Sequence, residues 1–177
     1  MILDDLVAAT AKRLQTVKSN APIDEVKKVA EAVKNIRVRE DFPFKRALSK
    51  DGLSFICEVK KASPSKGIIA EDFPYLDIAK SYEAAGADAV SVLTEPDYFR
   101  GSTEYLREIA AEISLPCLRK DFIIDEYMIY EAGALGASAV LLICAILSDS
   151  QLKEYLELAH YLGMSALVET HGPEEAE

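Results

Sequence analysis

A chain of 177 residues, half of them hydrophobic and 28% charged, carries enough apolar material for one substantial core, which excludes disorder throughout. Thirty acidic against twenty basic residues give a formal charge of −10, which repels phosphate backbones and argues against nonspecific binding to nucleic acid or anionic membranes. A local pocket of lysines remains compatible with a small anion.

The N-terminal MILDDLVAAT places two aspartates where a secretory signal needs basic residues, and no apolar run long enough for a membrane span follows. A cytoplasmic location is the expectation. Residues 3–18 and 23–37 have helical spacing, with Leu3, Leu6, Val7, Leu14 and Val17 on or near one face. They predict an N-terminal helical extension covering residues 1–52. From residue 53 the pattern changes to short apolar runs, FICEV, AVSVL, LPCLR, AVLLICA and SALVE, separated by helix-like stretches of roughly ten to fifteen residues. That alternation is the mark of repeated βα units and a parallel sheet.

Five strands are predicted, at about 54–60, 89–94, 115–120, 139–145 and 165–170. Gly86, Gly136 and Gly163 each stand between a helical stretch and a strand, where a left-handed helix terminus favours glycine. Asp77, Ser102, Asp125 and Ser148 precede periodic stretches and read as N-caps. The tail HGPEEAE reads as a helix start, with acidic residues suited to the N-terminal dipole. A complete eight-unit barrel takes about 250 residues, so residues 53–177 are expected to form a partial barrel of five units, roughly three short. The extension and the partial barrel together make one domain.

The cysteines, Cys57, Cys117 and Cys144, lie far apart in apolar segments and read as small buried hydrophobes rather than a disulfide framework or zinc site. With only His160 and His171 in the chain, a histidine-rich metal centre is not expected.

Charges at strand ends are the chemical signal. Glu58 and Lys60 are two apart in the first strand and share a face, while Phe55, Cys57 and Val59 take the other and are expected to pack under the helices. Lys120 ends the third strand on the parity of Leu118, with Cys117 and Arg119 directed outward, and Glu169 ends the fifth on the parity of Leu167. Strands one, three and five can direct side chains into one volume, so Glu58, Lys60, Lys120 and Glu169 are predicted to meet at the C-terminal rim. A buried carboxylate and ammonium are costly unless paired or used. A buried ion-pair network without a catalytic task is the competing reading of the same spacing. The small-residue segment ASPSKG offers Ser63 and Ser65 to an anion, although such clusters are more often plain turns.

Taken in order, CEVKKASPSKG, SVLTEPDYFRGS, LPCLRKDFIIDEYMIYEAGALGASAVLLICAIL and LGMSALVETH resemble the indole-3-glycerol phosphate synthase family across essentially the whole chain. The resemblance implies an α/β fold of the TIM (β/α)8 barrel class, present as an incomplete barrel with its N-terminal helical extension. It implies a carbon-carbon lyase of tryptophan biosynthesis. The substrate would be 1-(2-carboxyphenylamino)-1-deoxyribulose 5-phosphate, closed to an indole with loss of carbon dioxide and water, without cofactor or metal. By motif, Lys120 takes the place of the general acid, Glu169 that of the base assisting dehydration, and Glu58 that of a carboxylate sharing proton handling and orienting the lysine. Lys60 and Ser63 match residues that hold the substrate's anionic groups, and Phe99 and Phe122 match apolar residues lining the anthranilate pocket.

The family's later strands contribute an asparagine, a glutamate-serine pair and a glycine-serine loop that have no counterpart among these 177 residues. The chain alone is therefore expected to be inactive and poorly soluble, with open sheet edges prone to association. Two other readings stay open: another phosphate-binding barrel enzyme such as phosphoribosylanthranilate isomerase, which LRKDF and LVETH disfavour, and a noncatalytic half-barrel binding module.

Overall fold

The computed structural model describes residues 2–36 and 42–175. Residue 37, at the end of the second predicted helix, and the last two residues of the predicted terminal helix lie outside the described residues.

Five strands form one sheet: β1 (Ile56–Val59), β2 (Ala89–Leu93), β3 (Cys117–Lys120), β4 (Ala139–Ile143) and β5 (Ser165–Glu169). Each pairs in parallel with its successor, in the order β1-β2-β3-β4-β5, and the sheet does not close among the described residues. Parallel neighbours need crossovers, and α4 (Tyr75–Ala84), α5 (Thr103–Glu112), α6 (Glu126–Ala134) and α7 (Asp149–Tyr161) supply them. All five strands fall within the predicted segments.

The pleat sorts the side chains. Val59, Val90, Val92, Cys117, Val140 and Leu142 point outward and pack with Leu106, Ile109, Ile129, Ala159 and Met164 in the main core. The inward residues Ala89, Leu118 and Ala139 meet Phe44, with Leu48 packed against them. These last two come from a short helix, α3 (Pro43–Leu48), absent from the sequence-based expectation; Pro43 opens it, where a missing N–H costs nothing. It plugs the N-terminal end of the concave face and so leaves the opposite end for a site.

Ahead of it run α1 (Ile2–Asn20) and α2 (Ile23–Ile36), the predicted extension. The second lies against α6, where Ala30 is buried and a methyl on Gly133 would stand 3.6 Å from the Ala30 Cβ. The first buries Leu6 and Leu14, and Lys18 Nζ lies 2.7 Å from Asp125 Oδ2. Apolar positions of both segments, Leu14 and Ala30 among them, thus join the main core.

Ser102, Asp125 and Ser148 cap α5, α6 and α7 as expected, accepting from the backbone N–H groups of Glu104, Tyr127 and Gln151. Gly86, Gly136 and Gly163 have φ of 85°, 87° and 77°, the left-handed conformation expected at helix ends. Two expectations need correction. Asp77 is not a cap, because α4 already starts at Tyr75 and Asp77 stands inside its first turn, where its charge complements the dipole. Phe55 does not pack under the helices; it precedes the first paired residue of an edge strand and is 58% exposed. Of the cysteines, Cys117 is buried while Cys57 and Cys144 are half-buried. No helix among the described residues is long and apolar enough to cross a membrane.

Candidate active site

Glu58, the only acidic residue within β1, forms the centre of the site. Its Oε1 pairs with Lys60 Nζ and its Oε2 with Lys120 Nζ at 3.0 Å, so one carboxylate holds two ammonium groups from two strands. Burial raises the Glu58 pKa, but the hydrogen bonds and charges of the two lysines outweigh it and leave the carboxyl below its ordinary value of 4.5. The Lys120 side chain is 40% exposed, and its ammonium stands at the open, C-terminal end of the sheet.

Register explains the meeting. Glu58 pairs with Ser91, and Ser91 with Leu118, which makes them one inward row. Continuing each strand by two residues brings Lys60 level with Leu93 and Lys120, the next inward row. The same row runs on through Leu141 and Leu167, and Glu169 lies two residues beyond Leu167, opposite Ile143. Glu169 therefore shares the sheet's C-terminal end, one inward layer nearer the mouth, about 6.6 Å along the strand direction and about 10 Å across from β3. Its carboxylate lies 3.2 Å from His171 Nε2 rather than against the lysines. Of the four predicted rim residues, three are in direct contact and the fourth faces the same end.

Beyond β1 the chain turns through a small hairpin, Ala62–Ser63 against Gly67–Ile68. The buried Ser63 accepts from the Lys66 N–H through its Oγ at 3.2 Å. Lys60, Ser63, Ser65, Lys66, Ile69 and Phe99 line an open cavity of about 470 Å³. Its two lysines and two serine hydroxyls suit an anion, and Phe99 gives it one apolar wall. The Phe99 and Phe122 rings lie 6.1 Å apart with planes inclined at 39°, so the predicted apolar pair forms one continuous aromatic surface.

Sequence reasoning missed the layer beneath these residues. Arg119, directed outward as predicted, is 2% exposed and binds Asp121 at 3.3 Å and Glu131 at 2.7 Å. It also donates to the Met128 carbonyl at 2.7 Å. Asp121 in turn accepts from Thr94 Oγ1 at 2.6 Å, from the Phe122 N–H at 2.9 Å and from Arg13 of α1 at 3.1 Å. The Asp121 pKa, raised by burial, is nevertheless drawn below its ordinary value by the charges of Arg119 and Arg13. The outward parity of Arg119 and Asp121 was available as a signal, since a charge under helices needs a partner. Arg13, 108 residues away, offered none.

The loop after β2 is closed tightly. Gly101 donates to the Glu95 carbonyl at 2.8 Å, and a methyl on Gly101 would stand 2.4 Å from the Leu93 carbonyl oxygen. Because the obstacle is backbone, Gly101→Ala should destabilise the fold by about 1–3 kcal/mol, read as a lower urea midpoint with unchanged slope. An unshifted midpoint would mean that the loop relaxes freely.

Comparison with known proteins bears on the family and the fold. Residues 3–177 match the family model described as indole-3-glycerol phosphate synthase. The chain is 52% identical over 175 residues to the indole-3-glycerol phosphate synthase of Ruminiclostridium cellulolyticum, covering 99% of this chain and 66% of that one. To its namesake from Endomicrobium trichonymphae it is 56% identical over 177 residues, covering 100% and 67%. The chain thus spans about two thirds of the length of these curated relatives. Among solved structures, MenC from Desulfotalea psychrophila superposes with a TM-score of 0.51 at 11% identity, over 75% of this chain and 35% of that one. A mandelate oxidase mutant reaches 0.50 at 16% identity, over 72% and 51%, and both likenesses concern the fold alone.

Proposed function

The chain belongs to the indole-3-glycerol phosphate synthase family, whose fold is the (β/α)8 barrel, and from that premise we propose that it carries the acid-base half of that family's ring-closing site. The substrate is 1-(2-carboxyphenylamino)-1-deoxyribulose 5-phosphate. The observation that carries the reading is the Lys60–Glu58–Lys120 bridge at the C-terminal end of a parallel sheet, where barrel enzymes do their chemistry.

In this reading the substrate's aromatic ring lies on the Phe99–Phe122 surface, and its anionic groups meet Lys60 and Ser63. The ring carbon bearing the carboxylate attacks the ribulose carbonyl carbon, and the Lys120 ammonium delivers a proton to the carbonyl oxygen as the new bond forms. Carbon dioxide leaves from the ring carbon that made the attack and returns the bonding pair to the ring. Lys120, reprotonated from solvent, then gives the hydroxyl a second proton so that it departs as water, while Glu169 removes a proton from the adjacent nitrogen-bearing carbon to complete the indole double bond. General-acid work asks for precise placement of the donor. Glu58 provides it, because its second oxygen is anchored by Lys60 and the carboxylate cannot swing away with Lys120.

We place this chemistry in the cytoplasm, since the substrate is a soluble sugar phosphate. The edges of β1 and β5 expose Ile56, Leu167 and Val168, which favours association between chains wherever nothing else covers them.

The test is a chimera that joins this chain to the remaining third of the Ruminiclostridium cellulolyticum relative. Incubated with the substrate, it is expected to form indole-glycerol phosphate with one carbon dioxide per turnover. It should leave phosphoribosylanthranilate unconverted. A cooperatively folded chimera that isomerises the second compound, or acts on neither, overturns the reading.

A further inference from the structure

We infer that Glu95, which lies outside the proposed catalytic set, is a positioning residue that sets the aromatic wall of the ring pocket from beneath. The inference deepens the proposed function and rests on it for the identity of the ring. Glu95 is completely buried, yet it lies just past the end of β2, where a loop of nine residues, 94–102, must leave the barrel and return to α5. Such a loop carries backbone N–H groups with no strand or helix to receive them, and buried N–H groups without acceptors are costly.

One carboxylate receives three of them. Glu95 Oε1 accepts from the Asp97 N–H at 2.9 Å, and Oε2 accepts from Tyr98 at 2.8 Å and Phe99 at 3.0 Å. Bonds to an ionised acceptor are about twice as strong as neutral ones, and three successive donors converging on one group fix the backbone that joins them. The ends of the same loop are tied by Gly101 N–H to the Glu95 carbonyl at 2.8 Å and Ser102 N–H to the Leu93 carbonyl at 3.3 Å. Phe99 emerges from this brace with two fixed neighbours. Its carbonyl accepts from the Ala62 N–H at 3.2 Å, which ties it to the loop bearing Ser63, and its ring meets Phe122.

Phe122 is held by the matching device on the next strand, where Asp121 accepts the Phe122 N–H. Arg13 spans the two carboxylates, 3.4 Å from Glu95 Oε1 and 3.1 Å from Asp121 Oδ1. Glu95 touches neither the cavity at Lys60 nor the Glu58 bridge, so its influence on a ligand runs through the position of Phe99.

The test uses the chimera described above, labelled with 4-fluorophenylalanine at every phenylalanine, six of which belong to this chain. Fluorine resonances for positions 99 and 122 are identified by Phe99→Leu and Phe122→Leu. Glu95→Gln keeps the side-chain shape but removes the charge, and Glu95→Asp keeps the charge but shortens its reach. In both, the Phe99 resonance is expected to move toward the solvent-exposed value and the Phe122 resonance to follow, while Phe44 and Phe73 hold. N-(2-carboxyphenyl)glycine, which carries the anthranilate ring without the phosphate, is expected to perturb Phe99 and Phe122 in the parent. It should bind either variant at least about tenfold more weakly, a loss that disappears in a Phe99→Leu background.

An unmoved Phe99 resonance in both folded variants overturns the inference, as does a binding loss that persists without Phe99. If Phe99 moves but the probe leaves the parent spectrum unchanged, the positioning stands and the ring-pocket reading fails. Should Gln unfold the chain by circular dichroism, Asp alone decides, since it keeps a negative charge beside Arg13.

Discussion

If Lys120 is the general acid proposed above, Lys120→Met in the chimera should lower kcat by about 10²–10⁴-fold, the usual contribution of a placed acid, while KM changes by no more than a few-fold. The structure makes this a clean substitution. The Lys120 side chain is 40% exposed and its ammonium pairs with Glu58, which keeps Lys60 when Lys120 is lost. No buried charge is orphaned, so the melting temperature should stay close to that of the parent. Loss of an interaction used only in the transition state lowers kcat and kcat/KM together, whereas loss of uniform binding raises KM alone. A variant that keeps more than about a tenth of the parent kcat would remove Lys120 from the acid role, because even the weak end of that range exceeds tenfold. A large KM increase at constant kcat would reassign it to substrate binding.

Much of this site was legible because a parallel strand makes side-chain direction a matter of counting. Glu58, Lys60, Lys120 and Glu169 follow inward positions such as Leu118 and Leu167, and the paired register carries the same alternation across the sheet. Counting does not give the height of each strand relative to its neighbours. Glu169 was grouped with the lysines, yet its row lies one layer nearer the mouth and its partner is His171.

The caps at Ser102, Asp125 and Ser148 were readable since each acts on residues two or three positions away. Asp77 failed for an equally local reason: the helix begins before it, at a proline boundary that propensity alone does not mark. Long-range contacts were out of reach. Nothing near Arg13 indicates that a helix at the chain's start supplies the cation between Glu95 and Asp121, and nothing in PFKRAL indicates that Phe44 and Leu48 plug the concave face. The resemblance to a known family points to candidate residues for the chemistry but not to the buried groups beneath them, which are set by packing between segments far apart in sequence.

Arg119→Met should be the most damaging single substitution to the fold, costing about 3–5 kcal/mol at neutral pH, because it removes one member of a buried ionic network and leaves the others in place. Met nearly preserves the volume, so the loss is electrostatic rather than a cavity. The Asp121 side chain is fully buried and would retain Arg13, Thr94 and the Phe122 N–H, while Glu131 and the Met128 carbonyl would lose the guanidinium altogether. The pH dependence distinguishes this origin from poor packing. In the parent, Asp121 titrates below its ordinary 3.8, so it contributes stability that is fully present above that value and lost as pH falls through the lowered pKa. Without Arg119 that depression weakens, and the gap between parent and variant should shrink on acidification as the carboxyls take up protons. Urea titrations at pH 7 and at about pH 2.5, below the ordinary carboxyl value of 3.8, measure both effects. A deficit that stays constant or widens toward acid would assign the damage to packing. In the electrostatic case, Arg119→Met combined with Asp121→Asn should cost less than the sum of the two single changes, since the second removes a charge that the first has left without its partner.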